Sequence, residues 1–129
     1  MTIPDTHSDI LQKKGFAHMA TLGPSGEPQS TPVWYEWDGH YLKISQTNTR
    51  QKYRNIQRDS RVALSVVDPD NPYRYLEVRG RVDRTEADEG KAFINALAQK
   101  YMDLETYPYT TPEEQRLVLY IAPDHTTSM

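Results

Sequence analysis

Apolar and polar residues alternate along most of this chain, and helical spacing interrupts the alternation in only a few places. A short helix is expected from Ser8 to Lys14, with Ser8 at its N-cap and Gly15 just past its end. Phe16 to Leu22 reads as a strand that ends in the turn Gly23-Pro24-Ser25-Gly26. Gln29 to Trp37 is extended, Asp38-Gly39 is the strongest hairpin signal, and Tyr41 to Gln46 is the returning strand. Arg50 to Arg58 supports a short helix capped by Thr49 or Asn48 and closed by Asp59-Ser60. Arg61 to Val67 is a buried-type strand rich in β-branched residues. Asp68 to Pro72, with its two prolines, is expected to be a loop.

From Tyr73 to Arg84 the pattern sets Tyr75, Glu77, Arg79 and Arg81 against Leu76, Val78, Gly80 and Val82. Glu86 to Tyr101 is expected as the one long helix, with Ala87, Phe93, Ile94, Leu97 and Tyr101 as its apolar stripe. Asp103 to Pro112 is too rich in proline for regular structure, Leu117 to Ile121 is a last strand, and Pro123 onward reads as a tail. About six strands with a few helices between them indicate a mainly β fold, a closed or nearly closed antiparallel barrel. The length of 129 residues suits a single domain over 1–129.

Composition narrows the function. The net charge of −3 disfavours a general nucleic-acid grip. Cysteine is absent, which excludes disulfides, thiolate metal sites and a cysteine nucleophile. The N-terminus has no signal-peptide pattern, and no apolar run nears the roughly 18 residues of a membrane span. A soluble, cytoplasmic protein is expected. Against the acidic total, Arg50, Lys52, Arg54, Arg58 and Arg61 crowd into one segment, Thr47 to Arg61. Where a helix begins, free N–H groups, the positive dipole end, hydroxyls and basic side chains make an anion cradle. The same charges also suit a solvated amphipathic helix.

Other chemistry is scarce. The four histidines share no metal-ligand spacing, so no metal site is expected. Serines lack a nucleophile elbow, and GxGxxG and P-loop patterns are missing. Either the protein is not an enzyme, or a bound cofactor supplies the reactive centre and the protein positions it. Thr31, Pro32, Val33 and Trp34 are candidates to wall a planar ring, with a simply buried tryptophan as the other reading of Trp34.

Three stretches, Ala20–Gly39, Thr49–Val82 and the YPY near Tyr107, carry a family resemblance. Their order resembles the pyridoxamine-phosphate-oxidase-like split barrels, and more closely the branch that uses the deazaflavin coenzyme F420. The resemblance implies a six-stranded antiparallel split β-barrel of the FMN-binding type, paired as a homodimer with cofactor sites along the interface. It implies a ring lying along Gln29 to Trp34, and a phosphate approached by Ser45, Gln46, Thr47, Arg50, Gln51 and Lys52. Tyr75 corresponds to a ring-contacting position reached from the other subunit. Gln51 stands where an FMN oxidase of the family has arginine, and Arg50 lies one residue earlier, which favours F420 over FMN. The activity implied is hydride transfer between reduced F420 and an electron-poor small molecule such as a quinone, an enone or a tetrapyrrole-like compound. An FMN-dependent enzyme on the same barrel and a non-catalytic cofactor-binding protein are the alternatives, and neither nucleic acid nor membrane is expected as a partner.

Overall fold

A computed structural model describes residues 3–129. One antiparallel sheet of seven strands carries the fold: β1 (Ala17–Leu22), β2 (Pro28–Val33), β3 (Glu36–Trp37), β4 (Leu42–Thr47), β5 (Arg61–Asp68), β6 (Asn71–Ala87) and β7 (Arg116–Ser128). Its order is β2-β1-β5-β6-β7-β4-β3, and it curls into the half-barrel of a split-barrel fold. Two helices are attached, α1 (Gln51–Arg58) and α2 (Ala92–Met102). The short helix expected from Ser8 to Lys14 is a 3-10 helix, Ser8–Gln12, with His7 rather than Ser8 at its N-cap.

The alternation read from the sequence builds the core. Val62, Leu64 and Val66 of β5 point inward with Leu76 and Val78 of β6, while Arg61 and Arg79 stay outside. Leu42, Ile44, Leu119 and Ile121 fill the other half of the same core, and Ile10 and Leu11 plug one end. Turn residues behave as their chemistry requires. Gly39 has φ +98° in the β3–β4 hairpin, and Asp38 Oδ1 accepts the backbone N–H groups of His40 and Tyr41 at 2.8 and 2.7 Å.

The seventh strand arises because the expected 29–37 extension breaks at Trp34-Tyr35. Tyr35 leaves the ladder to bury its ring completely, and its hydroxyl donates to the carbonyls of Ile10 and Lys13 at 3.1 and 3.2 Å. Lys100 Nζ of α2 donates to the Tyr35 carbonyl at 2.7 Å, so the broken backbone is held from a helix. This break turns Trp34 out of the sheet's regular pattern.

Three further expectations are corrected. Asp68–Pro72 is no loop: Pro69-Asp70 makes a two-residue turn, with Asp68 already paired to Asn71. The Asp68 carboxylate makes this possible by accepting the Asp70 N–H at 2.9 Å and pairing with Lys13 and Arg74 at 2.9 and 2.8 Å. Glu86 and Ala87 end β6 opposite Val118 and Leu117, so the long helix starts only at Ala92. Asp88 sets that start, its carboxylate accepting the N–H groups of Phe93 and Ile94 at 3.1 and 3.0 Å. The tail after Pro123 is strand, since Thr126 to Ser128 pair with Val78 to Leu76. Pro123 is tolerated because the β6–β7 register slips beside it, between Arg79 and Gly80.

At that slip the strands approach so closely that a Cβ on Gly80 would collide with the Ala122 carbonyl oxygen. Gly80→Ala is therefore expected to lower the stability by roughly 1–3 kcal/mol, as overpacking typically does, read as a reduced urea midpoint. The carboxylate of Asp9, hydrogen-bonded to Arg74, is pulled down to about 2, and Asp68 is lowered further by Lys13, the Asp70 N–H and Arg74. Their contribution is complete above the ordinary aspartate range near pH 4 and is lost as pH falls through the lowered values. Asp68→Asn should thus flatten the acid limb of a stability–pH curve.

Candidate functional site

Strand β4 runs along the sheet and hands the chain directly to α1, so Ser45, Gln46 and Thr47 lie next to the start of a helix. Strand β2 passes on the other side of that helix. Between them opens a cleft of about 230 Å³, walled by Pro32, Val33 and Trp34 on one side and by Ser45, Gln46 and Thr47 on the other. Arg50 and Lys52 enter it from α1. Thus eight of the eleven residues expected at a cofactor line one space.

The corner occupied by α1 has unusual electrostatics. Lys52 is only 9% exposed, and its ammonium donates to Thr31 Oγ1 at 2.7 Å. Among the described residues neither Lys52 nor Arg50, Arg54 or Arg58 takes part in an ion pair. Burial, and after it the neighbouring Arg50 charge, lowers the Lys52 ammonium below the usual lysine range. Neither expected cap is in place. Arg50 occupies the N-cap position without a side-chain cap bond, Thr49 bonds the hydroxyl of Thr47 at 3.1 Å, and Asn48 Nδ2 donates to Gln115 Oε1 at 3.3 Å. The N–H groups of Tyr53 and Arg54 donate to the Arg50 carbonyl at 3.2 and 3.4 Å, which leaves those of Gln51 and Lys52 beside two cations with no acceptor among the described residues. Such a corner favours an anion.

The wall opposite is aromatic. Trp34 stacks on Tyr101 with centroids 4.9 Å apart and planes 4° from parallel, and meets Tyr107 edge-on at 5.9 Å. Tyr101 is fixed in turn, donating to the Gly15 carbonyl at 2.7 Å and accepting the Tyr35 N–H at 3.3 Å. Burial pushes its hydroxyl up to about 12, so it stays protonated. Trp34 is consequently part-buried, packed on Tyr101 and exposed to the cleft.

Two expected residues lie elsewhere. Gln51 precedes Lys52 on the helix and is rotated away, its amide donating to Asn55 Oδ1 at 2.8 Å beside a separate groove at Gly23 and Pro24. Tyr75 sits on β6 opposite Val67, with its backbone paired to Met129, and is not in this chain's cleft. Thr31 reaches the site through the Lys52 ammonium.

The sequence did not single out Phe16, Ile94, Leu97, Tyr107 or Arg116 as site residues, yet all line the cleft. Arg116 stands across the ladder from Thr47, and its side chain is 9% exposed. Its Nη1 donates to Ser45 Oγ at 3.2 Å, its Nε to Glu114 Oε1 at 3.3 Å, and its guanidinium lies 4.8 Å from the Tyr107 ring centroid. No histidine faces the cleft, and the described residues hold no cluster suited to a metal ion. The site can bind and orient, with no acid–base–nucleophile set of its own. No helix among the described residues is long and apolar enough to cross a membrane.

Comparison with known proteins bears on the family and the fold. A solved structure of an F420 reductase superposes with a TM-score of 0.89 at 38% identity, covering 97% of this chain and 98% of that one. A conserved hypothetical protein from Mycobacterium tuberculosis shares the fold, with a TM-score of 0.72 at 22% identity over 99% of this chain and 85% of that one. In sequence, a 5a,11a-dehydrotetracycline/5a,11a-dehydrooxytetracycline reductase of Streptomyces rimosus subsp. rimosus is 38% identical over 82 residues. That match takes in 59% of this chain and 56% of the relative, little more than half its length. The family model described as pyridoxamine 5'-phosphate oxidase matches residues 3–129, and the chain belongs to that family.

Proposed function

We propose that this protein is an oxidoreductase that holds coenzyme F420 in the cleft and passes hydride between the reduced cofactor and an electron-poor small molecule. The observation that carries the reading is Lys52, a buried ammonium without a carboxylate, set at an uncapped helix end. The residues present fit a phosphate-bearing cofactor. Lys52 and Arg50 supply charge, the first N–H groups of α1 supply donors, and Pro32, Val33 and Trp34 supply a flat wall. Bound F420 would provide two-electron hydride chemistry. The chain's own part is to hold the phosphate, fix the plane of the ring and keep water from the reacting face.

The likeness to an F420 reductase over nearly all of both chains supports F420 over FMN, and Arg50 rather than Gln51 in the cleft supports it too. A relative named for reducing dehydrotetracyclines supports a conjugated acceptor, with quinones, enones and tetrapyrrole-like compounds as the candidates. We also propose a homodimer. The outer sheet face has a hollow of about 370 Å³ lined by Ala20, Leu22, Pro28, Ala63 and Gly80, an apolar surface that a second copy would cover. Tyr75, away from its own cleft, would then serve the partner's.

Arg50→Ala combined with Lys52→Ala should weaken F420 binding by about 2–4 kcal/mol, since charged hydrogen bonds contribute about 1.5–3 kcal/mol each. Titration followed by tryptophan fluorescence reads this, and equal affinity in the variant would remove the cradle. A parallel FMN titration separates the two cofactors, and a bound cofactor that passes hydride to no acceptor in a panel would leave a binding protein. Because Lys52 is lowered, it sheds its proton at a lower pH than an ordinary lysine, and F420 affinity should fall on the alkaline side accordingly. Lys52→Arg keeps its charge there and should hold affinity to higher pH. Light scattering at micromolar concentration should give twice the chain mass of 14.9 kDa. A monomer would contradict the shared site.

A further inference from the structure

Arg116 is the one cation in the cleft that is already neutralised. Glu114, 3.3 Å from its Nε, is itself only 13% exposed, so the two form a part-buried pair with little net charge. Arg50 and Lys52 have no such partner. A phosphate brought to Arg116 would meet Glu114 as well, and like charges repel at such range. A neutral oxygen that gains partial charge meets no such obstacle.

The surroundings specify where that oxygen belongs. Tyr107 carries the Arg116 guanidinium at 4.8 Å and meets Trp34 edge-on at 5.9 Å, so the guanidinium continues the aromatic wall. Ser45 Oγ holds Nη1 at 3.2 Å, and Glu114 holds Nε at 3.3 Å. Nη2 makes no hydrogen bond within the chain among the described residues, and Arg116 lines the cleft. A planar ligand lying on Trp34 would present its edge to this held donor.

We propose that Arg116 is the ring-binding donor of this site, its guanidinium hydrogen-bonded to an oxygen at the edge of the redox ring, with Glu114 setting how much positive charge the ring feels. This inference rests on the cleft being an F420 site and adds a division of labour. Arg50 and Lys52 hold the phosphate by net charge. The Arg116–Glu114 pair tunes the electronics of the ring.

The F420 ring carries an acidic hydroxyl whose ionisation changes its visible absorption, and the anion's charge spreads over the conjugated oxygens. The experiment follows that band against pH with F420 bound to the full-length protein. Arg116→Gln should raise the midpoint at which the bound ring loses its proton, by about one pH unit, the low end of the effect of a cation at contact distance. Glu114→Gln leaves the guanidinium uncompensated and should lower the midpoint. Arg116→Lys should restore most of the wild-type value. Opposite shifts in the two neutral variants are the signature, because loss of a merely structural pair would move both the same way. If Arg116→Gln does not fold, the direction of the Glu114→Gln shift decides alone. F420 bound by the wild type with a midpoint unmoved in the variants, or moved alike, overturns the role of Arg116 and leaves the site standing. Failure of the wild-type protein to bind F420 overturns both.

Discussion

A buried ammonium needs something negative beside it, and among the described residues the Lys52 ammonium has only the Thr31 hydroxyl. Desolvating a cation costs several kcal/mol in a protein unless the loss is offset by pairing. Two other part-buried lysines are paired: Lys13 touches Asp9, Asp68 and Asp70, and Lys100 lies 3.7 Å from Glu36. At the head of α1 the fold instead gathers Lys52, Arg50 and the free N–H groups of Gln51 and Lys52, with Asn48 and Thr49 engaged in other bonds. A native chain tolerates that concentration of positive charge most easily when a ligand completes it.

The rest of the molecule can be understood as the support for this corner. Strand β4 delivers α1 to the cleft and is fixed along its length by β7, which brings Arg116 opposite Thr47. On the far side, Lys52 and Asn55 tie α1 to β2 and β1 through Thr31, Gln29 and Thr21. The break at Trp34-Tyr35 then sets the aromatic wall, and α2 locks it with Lys100 and Tyr101. Charge at one end and a flat apolar wall along the side match a ligand with a phosphate and a ring. Cleft, helix end and wall are each products of ordinary packing.

Much of this was legible in the sequence, and what was not has physical causes. Strand alternation placed the core of β5 and β6 correctly because one face of each is buried. The basic cluster marked the head of α1 because helix starts are local features. Gln51 lies outside the cleft because successive helix positions diverge by about a quarter turn, so Lys52 reaches Thr31 while Gln51 turns to the groove at Gly23 and Pro24. Glu86 and Ala87 have helix-compatible composition, yet β7 offers them a ladder that a local window cannot see. Arg116 escaped notice because its meaning comes from Ser45 and Thr47, far away in the chain and adjacent only through register. Tyr107 lay in a stretch without periodicity, and its contact with Trp34 joins positions far apart in the chain. Seven strands replace six because a buried Tyr35 ring outweighs a continuous ladder.

The most direct test observes the Lys52 ammonium itself. Side-chain nitrogen and carbon resonances of lysine, assigned through Lys52→Arg and followed against pH, report its ionisation with and without saturating F420. The account predicts a free-protein value below that of the exposed lysines and a clear rise once the cofactor's phosphate is bound. A Lys52 titration that ignores saturation with F420 would show that no anion meets it, and the cleft would need another explanation.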